Sequence, residues 1–439
     1  MLLTDGLVQR PAFTAVSSLV RAGVKYHSRP GRARGENAET RFRVVAQEPG
    51  RALVEAEAVT GRTHQIRVHA AEHGFPILGD TLYGGAAWSR LCLHAESLTL
   101  QHPVSGASLV FRANPDFLAN PRLALRAALL EPVATDAFRL IHGASDGWPG
   151  WQVDRLGEFL LSQSERALTD AQRQHLESLA GVTGAYHRRL HRQIRGADPA
   201  EVAARLVLGR AAPERFAVRE NGVRFEISFH EGYSLGLFLD QRDNRRRFLV
   251  NHIAAGFPLF DESAGGCEML NTFAYTCGFS LCAAKAGART TSLDLSKKYL
   301  EWGKRNFALN GLDPAGHDFL HGDVFDWLRR LARKHRTFEC IVLDPPTFSQ
   351  SKQYGVFRAE KDYPRLVAAA LPLLKANGIL LASTNAAGLE PETFVHTIER
   401  SITAARRRIQ RRHYVPQPPD FPISRSEPAY LKTVWLRIE

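Results

Sequence analysis

Long apolar runs are missing from this 439-residue chain. None approaches the roughly 20 consecutive apolar residues that a membrane helix needs, and no basic amphipathic helix stands out, so a membrane partner is not expected. The N-terminus, MLLTDGLVQRPAF, has no basic segment leading into a long apolar stretch, so no secretory signal is expected. Cysteine is scarce and scattered, at Cys92, Cys267, Cys277, Cys282 and Cys340. No pair has CxxC spacing, which argues against zinc and disulfide frameworks and points to a metal-free protein of a reduced, cytoplasmic compartment. A repeat at fixed period is also lacking, which excludes solenoids, and no low-complexity tract is present.

What is there is ordinary globular material, with 44% hydrophobic and 23% charged residues. At roughly 100–200 residues per domain the length implies two to four domains. Lys and Arg exceed Asp and Glu by 57 to 45, a net charge of +12. A basic balance favours polyanionic partners, because cations that neutralise phosphates release condensed counterions; a solvated basic surface is the alternative.

Organisation changes along the chain. The polar, basic segment Arg29–Thr40 reads as an exposed loop between strand-like stretches, with Arg41–Val45 and Arg51–Val59 following it. The pattern breaks at NPDFLANP, which places a first boundary near residue 118. A helix is expected over Pro121–Leu130, a β-rich unit over Phe138–Glu165 and a helix over Thr169–Leu179. A strand over Ala185–His191 follows, then a hairpin over Phe216–Phe229 turning on Asn221-Gly222. From Glu231 strands and helices alternate. Strands are expected at Cys267–Phe273, Thr290–Leu295, Asp318–His321, Glu339–Asp344 and Gly378–Ser383, with helices at Ser296–Asn310 and Asp362–Lys375. Such alternation implies right-handed βαβ units and an open, mostly parallel sheet. Ligands then bind beyond the carboxyl ends of the strands.

The strand ends carry a consistent chemistry. The first runs into LNTFAYTCGFS (Leu270–Ser280), a turn with one glycine, Gly278, and no GxGxxG fingerprint. The second ends at Asp294, placed to accept from both hydroxyls of a ribose and equally able to cap the next helix. After the third comes HGDVFDWL, where Asp323 suits an adenine amino group and Val324 and Phe325 suit its ring. The fourth ends in LDPPTFSQSK, a stiff turn with Asp344 at the sheet rim. Any one of these carboxylates is as easily structural as functional, but all of them at consecutive strand ends point to a bound nucleoside.

Residues Glu231–Glu439 resemble the methyltransferase domain of the 23S ribosomal RNA methyltransferases whose members make 5-methylcytosine or 7-methylguanine. The matching stretches are GLFLDQRDNRR (Gly236–Arg246), LNTFAYTCGFS, DLSKKYLEWGKRNFALNGL (Asp294–Leu312), DPPTFSQSK and DFPISRSEPAYLKTVWLRI (Asp420–Ile438). The resemblance implies a Rossmann-like fold with a seven-stranded, mostly parallel sheet, S-adenosyl-L-methionine as methyl donor, and RNA as partner, as 23S rRNA or a large-subunit particle. It leaves the oligomeric state open, a dimer included. It implies a donor site built from Phe238, Asp240, Gln241, Arg242, Asn271, Phe273, Gly278, Asp294, Asp323, Val324 and Asp344. A catalytic segment of Asp344, Pro345, Pro346 and Phe348 would hold the base, with Lys352 beyond it on RNA. Cys277 departs from the family, which has glycine there; if that position needs a positive φ, the cysteine adds strain.

Methylation at C5 of a pyrimidine needs a cysteine thiolate to add to the neighbouring carbon first. Cytosine-5 members carry that cysteine just after the fifth strand. Here the stretch reads LLASTNAAG, with Ser383, Thr384 and Asn385, and Cys340 lies before the ligand side, as core. A purine nitrogen, guanine N7 first, is therefore favoured, because a ring nitrogen brings its own lone pair and needs only in-line placement. Cytosine C5, a bifunctional modifier and a non-catalytic RNA-binding protein are the alternatives.

TGRTHQIRVHAAEHGFPILGDTLYGG (Thr60–Gly85) and RLCLHAESLTLQHPVSG (Arg90–Gly106) resemble the second half of an RluA-type pseudouridine synthase domain. Arg62, His64 and Arg67 are its candidate RNA contacts. The HRLDxxTSG segment that bears that family's aspartate is absent, so pseudouridine formation is not expected. The piece reads as a truncated remnant or the product of a misassigned start. The middle segment resembles the small domain that precedes the catalytic one in the methyltransferases, and its Ala185–Arg195 run offers Arg188 and Arg189 to RNA. The expected organisation is an α/β protein: a β-rich partial synthase domain over 1–118, a small α+β domain over 119–230 and the methyltransferase domain over 231–439.

Overall fold

The computed structural model describes all residues except 30–34, 104, 118–120, 191–202, 232–234, 352–354 and 426. Lys352 and the end of the Ala185–Arg195 run therefore lie outside the described residues. The chain forms two units, Met1–Ala124 and Leu125–Glu439. Among the described residues no helix is long and apolar enough to cross a membrane.

In the first unit an antiparallel five-stranded sheet is ordered Leu2–Leu3, Arg51–Ala58, Glu36–Glu48, Ala12–Ala22, Lys25–Arg29. The expected loop at Arg29–Thr40 is a strand from Glu36 onward, because Ala38, Thr40 and Phe42 are buried while Glu39 and Arg41 between them are half-buried and exposed. Polar residues on the outward face hide a period of two. A short helix, Gln65–Glu72, brings His69 under the sheet, where its ring nitrogens meet Thr40 Oγ1 at 2.8 Å and Ser17 Oγ at 2.9 Å.

The second unit begins with a mixed sheet over residues 137–209, in which Phe159–Ser164 and Gly184–Arg189 run parallel across the helix Asp170–Ser178. Thr169 and Gln172 form a capping box at that helix's start. The hairpin Phe216–Glu220/Val223–Ile227 follows, with Asn221 and Gly222 at φ 51° and 77°, the two positive values a type I′ turn requires.

The large sheet has seven strands: β1 (Glu268–Thr272), β2 (Arg289–Asp294), β3 (Asp318–His321), β4 (Phe338–Leu343), β5 (Leu374–Thr384), β6 (Ile409–Val415) and β7 (Lys432–Ile438). Their order is β3-β2-β1-β4-β5-β7-β6. The first five are parallel, and β7 inserts antiparallel between β5 and β6. The helices are α1 (Arg242–Val250), α2 (Gly278–Lys285), α3 (Lys297–Leu309), α4 (Val324–Arg333), α5 (Ala359–Ala370) and α6 (Pro391–Ala404). Alternate residues of the central strands enter two different cores. Met269, Cys340, Val342 and Ile379 face one; Leu270, Ile341, Leu343 and Leu380 face the other. Burial on both faces explains why these strands are continuously apolar. The order reverses between β1 and β4, so their carboxyl ends diverge and open a crevice there.

Candidate active site

The crevice holds a cavity of about 480 Å³, within the range of small-molecule sites. It is built from the loops that follow β1 to β5 and from the Leu237–Gln241 segment.

The β1 loop has an unusual backbone. Phe273, Tyr275 and Cys277 all have positive φ, at 55°, 50° and 63°. The position that the resemblance assigns to glycine is thus left-handed, and cysteine occupies it. Asp294, at the end of β2, secures this loop: Oδ2 accepts from Tyr275 N and Oδ1 from Ser296 N, both at 2.8 Å. Burial holds its carboxyl above the usual range. Asp323 caps α4 through Oδ1, which accepts from Phe325 N and Asp326 N at 3.0 and 3.1 Å. Capping uses one oxygen, so acceptor capacity for a ligand remains. Phe325, Phe273 and Phe357 form an apolar wall, with centroid spacings of 5.7 Å (Phe273–Phe357) and 6.2 Å (Phe325–Phe357).

On the other side Asp344 follows β4 and accepts from Gln241 Nε2 at 3.1 Å. The same Gln241 amide reaches Ser383 Oγ at 2.9 Å. Burial, and then the neighbouring Asp240 charge, push the Asp344 carboxyl up to about 7. Asp240 is itself raised by burial, and Tyr430 Oη donates to it at 3.1 Å. Two carboxylates sharing a partly dry pocket suit a cationic ligand group or a charge that develops in the reaction.

Of the donor-site residues expected from sequence, Phe238, Asp240, Gln241, Phe273, Gly278, Asp294, Asp323, Val324 and Asp344 line this cavity, with Pro345 and Pro346. Arg242 does not. Its guanidinium is buried in a bidentate pair with Asp420, at 2.8 and 2.7 Å. Asn271 is buried beneath the floor, donating to Ser280 Oγ at 3.0 Å. Phe348 starts a small hairpin, Phe348–Ser351 with Gly355–Arg358, and lies under the Arg358 guanidinium, while the adjacent Ser349 lines the cavity. Lining residues not expected include Arg245, Tyr275, Tyr299, Phe357, Thr347 and Asn385. Arg245 donates to both Glu220 oxygens at 2.7 Å and to Phe238 O at 2.7 Å. Its signal was present within GLFLDQRDNRR, but nothing local separates it from Arg242.

The expected RNA contacts are divided. Arg62 is exposed, and His64 meets Tyr83 Oη at 2.8 Å. Arg67 is committed inward, with two hydrogen bonds to buried Asp80 at 2.8 and 2.6 Å. Arg188 is buried and donates to Gln163 at 2.6 Å, whereas Arg189 is exposed. The corrections at Arg67, Arg188 and Arg242 share a cause: an arginine that satisfies a buried acceptor, the Asp80 or Asp420 carboxylate or the Gln163 amide, looks in sequence like one that reaches solvent.

Residues 139–437 match the family model of the S-adenosylmethionine-dependent methyltransferases. The chain belongs to that family. The methyltransferase is 34% identical over 329 residues to a ribosomal RNA large subunit methyltransferase of Deinococcus radiodurans, covering 72% of this chain and 77% of the relative. It is 33% identical to the ribosomal RNA large subunit methyltransferase I of Cronobacter sakazakii, over 68% and 73% of the two chains. A methyltransferase solved with SAH bound superposes with a TM-score of 0.61 at 27% identity, over 77% of this chain and 87% of that one. A second solved structure, a SAM-dependent methyltransferase of Streptococcus mutans, gives 0.59 at 26%, over 80% and 93%. Residues 10–72 match the RNA pseudouridylate synthase model. The methyl donor is S-adenosylmethionine, and the cavity's residues fit it: carboxylates at the ends of β2 and β3 for the nucleoside, an apolar wall for its ring and the Asp240–Asp344 pair for a cationic centre.

Proposed function

We propose that the chain methylates a base of large-subunit ribosomal RNA at a ring nitrogen, guanine N7 first, by direct in-line transfer. The observation that carries this reading is the thiol inventory. Among the described residues no cysteine lines the cavity. Cys92 belongs to the first unit, Cys267 precedes β1 at the opposite rim, and Cys340 is inside β4. Cys277 and Cys282 are fully buried, and burial pushes both thiols up to about 12. A thiol held neutral under the protein surface cannot act as the nucleophile that cytosine C5 requires. The relatives' names supply the substrate class, and the net charge of +12 agrees with it.

Bound donor supplies a methyl group on a sulfonium. Guanine N7 offers its lone pair to that carbon as the C–S bond breaks, and no proton has to leave. The base becomes cationic, and carboxylates at Asp240 and Asp344 favour that charge. Phe238, half exposed at the mouth, and the Pro345-Pro346 turn exclude water from the base.

Labelled methyl transfer to rRNA from a strain lacking the gene, with nucleoside mass spectrometry, tests the reading. Label in 7-methylguanosine is expected. Label in 5-methylcytidine would sink it.

A further inference from the structure

The two sides of the cavity divide its work. Asp294 and Asp323, after β2 and β3, serve the nucleoside of the donor, so the target base must lie over the ends of β4 and β5. Among the described residues, the polar groups that the segments following β4 and β5 bring to the cavity are Asp344, Thr347, Ser349 and Asn385. Asn385 is exposed, one residue beyond β5. Thr347 Oγ1 donates to its Oδ1 at 2.6 Å. That bond takes one lone pair of the amide oxygen and turns Oδ1 toward Thr347, leaving both N–H groups of Nδ2 to meet a ligand. The site therefore presents a fixed donor beside the reacting position.

Among the purines this donor discriminates. Guanine carries the O6 acceptor next to N7, whereas adenine carries an amino donor there. An amide N–H aimed at that edge binds the first and opposes the second. We infer that Asn385, oriented by Thr347, selects guanine by donating to O6 while N7 is methylated. This rests on the guanine N7 reading above and adds to it the residue that chooses the base.

The test compares wild type with N385A on an rRNA fragment whose target guanosine has been mapped by mass spectrometry. A second fragment carries 2-aminopurine there, which keeps N7 and lacks O6. Loss of one base-reading hydrogen bond should lower kcat/KM about 10–100-fold for N385A on guanine. Wild type should lose a similar factor on 2-aminopurine, and N385A should lose nothing further. Donor affinity should be the same in both proteins. N385A equal to wild type on guanine, or falling equally on both fragments, would overturn the assignment while the N7 reading stands. Wild type placing its methyl elsewhere than N7 would overturn both.

Discussion

Gly303 of α3 lies directly against the buried side chain of Cys277: a Cβ at Gly303 would come within 2.3 Å of Cys277 Sγ. The helix has given up its own side chain to house one on a left-handed residue at φ 63°. Left-handed backbone costs a non-glycine residue roughly 1–2 kcal/mol. The two positions are therefore coupled. G303A should destabilise the protein by about 1–3 kcal/mol through overpacking. C277G should relieve both strain and clash, so the double variant should be at least as stable as wild type. Urea denaturation of the four proteins closes the cycle; additive effects would refute the coupling.

Asp294 ties the donor's ribose site to the backbone of the β1 loop. D294A should therefore raise the Kd for S-adenosylmethionine by about 10–100-fold, since it removes a charged acceptor and frees Tyr275 N. Isothermal titration calorimetry measures it. An unchanged Kd would remove Asp294 from the donor site.

Arg242 tests the opposite expectation. Its pair with Asp420 is buried, and Asp420 Oδ2 also accepts from Arg139 N at 3.0 Å. Deleting one partner of such a pair costs about 3–5 kcal/mol. R242A should lose stability of that order, while the folded fraction binds donor with less than a twofold change. A large loss of donor affinity at full stability would place Arg242 at the ligand after all.

The Asp344 carboxyl gives a pH signature. Its folded value, about 7, lies above the ordinary 3.8. The folded state then holds the proton more tightly than the unfolded chain, so this group's contribution to stability is complete below about pH 4 and is lost as pH rises through 7. D344N should gain on wild type in stability as pH rises from 5 to 8, by about 2 kcal/mol once the half-exposed rim is allowed for, and melting temperatures across that range read the gain. Activity should run the other way. Wild-type kcat/KM should rise with pH up to about 7, and D344N should be slow and flat. A wild-type profile flat from pH 5 to 8 would show that the carboxylate is not needed in its charged form.

The methyltransferase half was legible because parallel strands covered on both faces are short, unbroken apolar runs, as in Cys340–Leu343 and Ile379–Ala382. Ser296 and Asn310, at the ends of α3, gave its limits. Other features were less visible. The strand Ala12–Ala22 went unseen, because AFTAVSSLVRA mixes small polar residues into a buried face where Ser18 is completely covered. Helix α5 starts at Ala359, three residues before the expected Asp362. In the site, strand-end carboxylates could be placed from order alone. Arginines could not, since Arg67, Arg188, Arg242 and Arg245 find their partners 13, 25, 178 and 25 residues away.

The hairpin Phe216–Ile227 lies upstream of the expected division at residue 230, yet the cavity wall depends on it. Glu220 is the counter-ion of Arg245, and Glu226 accepts from Arg305 through its carboxylate while its backbone N–H donates to Asn306 Oδ1. A gene fusion or truncation that joined new sequence at residue 231 would strand a guanidinium in the wall of the donor cavity with no anion beside it. The unit that evolution can move from one protein to another must therefore carry this hairpin with it, and a shuffled gene that cut between them would inherit the sheet without a working pocket.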